Sequence, residues 1–290
     1  DGASVTSVAN ATGMVSRALK SSLNSGCISV MTIHLPNLEE ILEQYSAEDL
    51  VETTKALVSS IRKCVQESSG QLVSMSKKKV IVVWNTFIAQ SDHRFRACKT
   101  ASEIMIELEE LKKDWVAHGL PQLDLSIGVA SGTAYYGNIG SDSTKFFTIL
   151  GRPSKQSDRI CRMNKEWETK ILVDEDVQEH IKDDFFTRPI GNRFDDDLVM
   201  YELGPPKTTD AWVEELAQDN RDIWKKYTDG FNLFTRELFA EAMLCFNTYN
   251  NENPNDPVAL KMMDLCNEMN QFSTTKSDMD LMSQLTEAAE

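Results

Sequence analysis

No run in this chain comes near the roughly 20 consecutive apolar residues that a membrane-crossing helix needs, and its opening residues lack the basic-then-apolar plan of a secretory leader. A cytoplasmic piece with no membrane span of its own is expected, free or as the cytosolic part of something larger. The first residue is Asp1 rather than a methionine, which reads as a fragment of a longer protein. Cysteine is scarce and scattered: Cys27, Cys64, Cys98, Cys161, Cys245 and Cys266 stand singly in apolar-periodic segments. Without CxxC spacing or the density of a small secreted scaffold, they read as reduced core residues rather than a zinc site or disulfide framework. Positive charge is short as well. With 30 Lys and Arg against 45 Asp and Glu, the formal net charge is −15, which disfavours a grip on nucleic acid or anionic lipid, since both demand a basic surface. The excess acid is mostly helical and C-terminal, as a solvated face. P-loop, H-E-x-x-H and G-x-S-x-G motifs are absent. His93 and His118 lie on or after one long helix without an acidic or cysteine cluster and read as ordinary surface residues.

What is present alternates between helix and strand. A weak helix is expected over Met14–Leu23, then a buried strand over Cys27–His34, which is β-branched and apolar. Pro36-Asn37 opens a helix at Leu38, and Ala47–Gln66 carries apolar residues at helical spacing. Ser68-Ser69-Gly70 ends it. Strands Gln71–Met75 and Lys79–Trp84 flank the polar turn Ser76-Lys77-Lys78. Asp92–Trp115 is the clearest amphipathic helix, with an apolar line through Phe95, Cys98, Ala101, Ile104 or Met105, Leu108 and Leu111.

The organising stretch is Leu123–Met163. Two β-rich runs, Leu125–Ala130 and Thr133–Tyr136, flank Ser131-Gly132 and predict a hairpin. Gly137-Asn138-Ile139-Gly140-Ser141 follows as a glycine loop that either presents backbone N–H groups to an anion or reverses the chain. A helix over Ser154–Met163, a strand at Lys170–Val173, a short helix near Val177–Ile181 and strands at Phe185–Ile190 and Leu198–Leu203 complete the body. Antiparallel pairs inside an alternating pattern point to an α+β sandwich rather than a doubly wound sheet. Gly204-Pro205-Pro206 punctuates the chain, and nearly everything beyond is helical. There Gly230, Ala242, Phe246 and Pro254 stand at the spacings of one tetratricopeptide-type helical hairpin, with a third amphipathic stretch over Val258–Met269. A single repeat cannot bury its own apolar face, so it must dock on the body or on a partner.

Ile127-Gly128, Gly132, Gly137-Asn138-Ile139-Gly140-Ser141, Phe147-Thr148-Ile149-Leu150-Gly151 and Arg159 follow in order the pattern I-G-x-x-x-G, G-N-x-G-S, Y-T-x-x-G and a helix with N-x-x-x-R. In this the chain resembles the class III adenylyl and guanylyl cyclase catalytic domain, over about Cys27–Leu203. Trp84-Asn85 followed by Asp92-His93 and Ala97, and the closing Val199-Met200-Tyr201-Glu202-Leu203, extend the likeness. The resemblance implies a ferredoxin-like cyclase sandwich, a mixed and mostly antiparallel sheet with helices on one side, followed by the helical extension. The expected organisation is a lead-in over 1–26, the cyclase-like domain over 27–204, the tetratricopeptide-like extension over 205–272 and a polar tail over 273–290.

Cyclases of this class close the 3′-hydroxyl of a nucleoside triphosphate onto its α-phosphate with two divalent metals held by two aspartates. The resemblance places those positions at His34 and Lys78, so both carboxylates are missing. Imidazole is a poor Mg²⁺ ligand, and an ammonium about 4 Å from a divalent ion is repelled by on the order of 8 kcal/mol at an effective dielectric near 20. Lys78 reads either as part of a solvated turn or as the positive charge a metal would otherwise bring. Of the remaining positions, the transition-state Arg is Arg159, and its Asn partner is replaced by Lys155. The purine-reading Lys is replaced by Ser74, while its partner matches Thr148 and the phosphate Lys matches Lys170. Lys155, Arg159 and Lys170 read equally as an anion pocket and as helix-surface charges paired to Asp158 and its neighbours. The expectation is a catalytically degenerate cyclase homology domain acting as a dimerisation, regulatory or scaffold module. No cofactor is expected, with Mg²⁺ entering only if a partner chain supplies both aspartates. The partners implied are another cyclase-like domain packed head to tail, as homodimer or heterodimer, a protein on the helical tail, and ATP or GTP. The alternatives are a working half of a heterodimeric cyclase and a purely structural component of a large assembly.

Overall fold

The computed structural model describes residues 22–76, 78–141, 143–191, 199–207 and 224–271. Lys77, the polar tail expected over 273–290 and all but the last two residues of the helix expected over Met14–Leu23 lie outside them. The chain forms two compact units, Asp1–Arg162 and Met163–Glu290.

In the first unit β1 (Ser22–His34), β2 (Gln71–Met75), β3 (Lys79–Trp84) and β4 (Ser126–Gly140) form a sheet in the order β2-β3-β1-β4, and β5 (Lys145–Gly151) pairs with β4. Every one of these pairings is antiparallel. Between the strands run α1 (Leu38–Leu42), α2 (Ala47–Glu67) and α3 (His93–His118), and α4 (Arg152–Trp167) follows β5 directly. The helix read from Leu38 onward is two helices. Ser46 interrupts it in extended backbone, and its hydroxyl accepts the Asp49 amide at the start of α2, the usual N-cap arrangement. Gly119 ends α3 in the left-handed region.

Side chains alternate across a strand, and on β1 they separate the layers. The Ser29 hydroxyl meets His93 Nδ1 of α3 at 2.8 Å, whereas Thr32, on the other face, bonds Ser157 of α4 at 2.9 Å. Thus α3 and the first turns of α4 cover opposite faces of this sheet, in place of the single helical side that the resemblance implied. Opposite Thr32 in the ladder is Gly128. A Cβ there would come within 2.3 Å of the Ser157 carbonyl oxygen and 2.4 Å of the Cys161 amide, so the glycine lets α4 lie directly on the strand. His93 is buried, not on the surface as the sequence implied. All six cysteines are free thiols, and burial pushes that of Cys161 up to about 12.

The structure corrects the hairpin at Ser131-Gly132. β4 runs unbroken through both residues, which stay in register with Ser29 and Ile28 of β1, and the Ser131 hydroxyl donates to the Ile28 carbonyl at 3.0 Å. The chain reverses later, between Gly140 and Lys145. The expected glycine loop is therefore strand. At Gly137 a Cβ would sit 1.9 Å from the Ser22 carbonyl oxygen, so the residue serves close approach of β1 and β4 rather than a turn. Ser22 and Leu23, assigned to a helix from sequence, begin β1.

In the second unit β6 (Ile171–Asp174), β8 (Met200–Pro206) and β7 (Phe185–Ile190) lie in that order, antiparallel. Between β6 and β7, Asp174 caps α5 (Glu175–Ile181) by accepting the Val177 amide. Beyond β8, residues 224–234 are helical (α6), followed by α7 (Phe239–Glu252) and the helical residues 257–271 (α8). Tyr227, Phe234, Phe246 and Tyr249 are almost wholly buried. Gly230 faces Cys245 and Phe246 so closely that a Cβ would meet them at 3.0–3.1 Å.

Candidate functional site

At one end of the first unit's sheet, His34 closes β1 opposite Lys79 of β3 and Ser126 of β4. Lys78 immediately precedes β3. Its carbonyl accepts the Leu35 amide at 3.0 Å, which fastens the turn to the end of β1, and its ammonium pairs with Glu39 of α1. The two positions assigned to metal carboxylates therefore sit at neighbouring strand ends, holding an imidazole and an ammonium.

A carboxylate does reach this end, from α4. Asp158 accepts ion pairs from Lys79 of β3 and from Arg162, one turn further along its own helix. Burial works to raise the Asp158 carboxyl, and Lys79 with Arg162 overcome it and hold it below the usual range. Burial also keeps the His34 imidazole below its ordinary value, helped by Lys78, Arg162 and Lys79 and opposed by Asp158. The result is one carboxylate, Asp158, engaged by two cations, with Lys78 paired to Glu39 beside it. Among the described residues no group of three or more His, Cys, Asp and Glu side chains is placed to hold a metal ion.

Lys155 and Arg159 are exposed, four residues apart on the same helix, α4. The ion pairs of Asp158 come from Lys79 and Arg162. Sequence reasoning missed both partners. The Asp158–Arg162 pair was readable as an i,i+4 couple on a helix, but the strand partner Lys79 carried no local signal. Lys170 is exposed in the second unit, one residue ahead of β6.

Ser74 lies in β2 opposite Ile81, exposed. Thr148 lies in β5 opposite Gly137, half-buried. Their sequence neighbours Val73, Phe147 and Ile149 pack on one apolar cluster formed by Ile28, Val30, Val83 and Ala134. Strand alternation turns Thr148 to the other side of the β1-β4-β5 arm. That side also carries Leu23, Tyr135, Ile139, Phe146 and Leu150, which are 42–68% exposed. These five large apolar side chains make this the open face of the arm.

Comparison with known proteins bears on the family and the fold. The sequence profile of the family described as "Adenylate and Guanylate cyclase catalytic domain" matches residues 21–192. Adenylate cyclase 1 of Rhizobium meliloti is 26% identical over 164 residues, 57% of this chain and 25% of that protein, so the chain spans about a quarter of that relative's length. Among solved structures, the adenylyl cyclase CyaB from P. aeruginosa superposes with a TM-score of 0.57 at 20% identity, over 63% of this chain and 96% of that one. A dimeric guanylyl cyclase domain from the RhoGC fusion protein of the aquatic fungus Blastocladiella emersonii gives 0.55 at 18%, over 64% and 100%. At those identities the structural likeness speaks for the fold. With its strand order, its glycine-bearing β4 and a profile match over more than half its length, the chain belongs to the adenylate and guanylate cyclase catalytic-domain family.

Proposed function

We propose that this member of the family is a degenerate cyclase domain, a regulatory, dimerising or scaffolding copy rather than a self-sufficient enzyme. The observation that carries the reading is the ion-pair cluster at the metal positions. Mg²⁺ requires hard oxygen donors, and His34 and Lys78 offer none, while Asp158 is already shared between Lys79 and Arg162. The donor set does not fit the ions this family uses, and no step of cyclisation is derived through them.

The partner in this reading is another cyclase-like domain, packed through the apolar face of the β1-β4-β5 arm, as a homodimer or a heterodimer. The helical extension, read as tetratricopeptide-like over 205–272, is a second protein-binding element. Cytoplasmic placement belongs to the same proposal; among the described residues, no helix is long and apolar enough to cross a membrane.

Incubating the purified chain with ATP or GTP and Mg²⁺ or Mn²⁺ tests the reading. No cyclic nucleotide is expected, and turnover that Arg159→Ala abolishes would overturn it. One observation favours a second reading, the working half of a heterodimeric cyclase: Arg159 and Thr148 keep the family's residue at their positions, and Lys170 does so in the second unit. Mixing the chain with a cyclase domain that carries both aspartates but is inactive alone distinguishes the two. Cyclic nucleotide formed only in the mixture, and lost with Arg159→Ala, selects the heterodimer.

A further inference from the structure

The helical extension grips its own unit through one buried guanidinium. Arg188 of β7 is 5% exposed. Its Nε donates to Glu202 Oε2 of β8 at 2.6 Å, and one Nη donates to Asp256 Oδ2 at 2.5 Å and to the Tyr249 hydroxyl at 3.1 Å. Tyr249 in turn donates to the same Asp256 oxygen at 2.8 Å. The guanidinium stacks 5.4 Å from the ring centres of both Trp224 and Tyr227. The other oxygen of Asp256 accepts the Val258 and Ala259 amides and so starts α8. Gly204 of β8 lies so near Trp224 that a Cβ would meet the ring at 2.6 Å. A second grip lies further along: Lys261 of α8 donates to the Glu166 carbonyl at 2.9 Å and lies over Trp167, in the last turn of α4.

A buried charge is tolerated only when its partners are in place, and removing one partner strands the others. The partners here are divided. Arg188 and Glu202 stand on the strands, whereas Asp256, Tyr249, Tyr227 and Trp224 stand on the extension. If the extension leaves, Arg188 and Glu202 lose most of their surroundings. If Arg188 is removed, Glu202 and Asp256 become neighbouring half-buried anions without a cation. Asp256 and Tyr249 keep their cation only while the extension is docked, and Arg188 has its second carboxylate only then.

We propose that the extension is a clasp whose ligand is this chain's own β7-β8 hairpin, closed by Arg188, so that hairpin and helices open and close as one cooperative element. A single helical pair, unable to cover its apolar face alone, has that face covered in cis. A protein that binds α7 thereby acts on β8, and through Lys261 on the last turn of α4.

Hydrogen-exchange mass spectrometry on the full chain tests this. In Arg188→Met, β7, β8 and α6 to α8 are expected to lose protection together, by tenfold or more, while α2 and α3 keep theirs. Unchanged protection, loss confined to β7, or loss that spreads into α2 and α3 would each overturn the proposal. The triple variant Arg188→Met, Glu202→Gln, Asp256→Asn removes all three charges and is expected to regain most of the lost protection. If it stays as open as Arg188→Met, the charge cluster is not what closes the clasp.

Discussion

Lys79 of β3 and Asp158 of α4 form an ion pair at the sheet end that carries His34. Arg162 holds the same carboxylate from the next turn of the helix. The pair ties a helix to a strand end by direct charge contact. The side chains involved are 18% exposed for Asp158 and 32% for Lys79, between the buried and surface regimes.

Replacing Asp158 with Asn is expected to lower stability by about 1–2 kcal/mol, the range for a charge-assisted bond that is not fully buried. Urea unfolding reads the loss. Combining it with Lys79→Met in a double-mutant cycle should recover part of it as coupling.

The same pair sets an acid dependence. Asp158's folded pKa lies below its unfolded value of about 3.9, so its contribution is fully present above about pH 4 and is lost as pH falls through the folded value. The stability gap between the wild type and Asp158→Asn should narrow below about pH 4. A gap that stayed constant down to pH 2 would contradict the assignment.

Nucleotide binding, where it occurs, is expected to be independent of divalent metal and weakened several-fold by Lys155→Glu, because Lys155 stands exposed on the α4 face that carries Arg159. Titration of a fluorescent ATP analogue with and without EDTA checks both parts. Strict metal dependence would refute the view that fixed cations have replaced the ions.

Gly128→Ala should be costly although alanine is small. Its methyl group meets backbone atoms of Ser157 and Cys161 at 2.3–2.4 Å, and a helix backbone cannot swing aside as a side-chain tip can. A loss of about 2–3 kcal/mol is expected, the overpacking range, measured as a shift in the urea midpoint.

Phe146→Asp is expected to abolish concentration-dependent dimerisation in analytical ultracentrifugation while leaving the melting temperature within a few degrees, because this side chain is 68% exposed on the open face of the arm. A dimer of unchanged affinity would remove that face from the interface.

Much of the fold was legible because its signals are local. β2 and β3 begin and end where the β-branched runs and the polar turn put them, and α3 follows its apolar spacing until Gly119 stops it. The errors arose where a long-range partner outweighed a local pattern. Ser131-Gly132 has turn composition, but thirteen residues of β1 pair alongside and keep the chain extended. His93 looked like a surface histidine because nothing near it in sequence announces Ser29, its partner across 64 residues. At the candidate site the family pattern supplied candidate positions. Which cation neutralises Asp158 depends on β3 meeting α4, and no spacing within either element encodes that.

β1 has one more consequence. It is hydrogen-bonded to β4 from Ser22 to His34 and to β3 over its second half. A chain entering at Ser22 and pulled along the strand axis would load these ladders in shear, so many bonds must yield at once instead of unzipping one by one. Mechanically, the strand that begins at Ser22 is anchored along its whole length, so tension applied there is shared between its two ladders before it reaches His34.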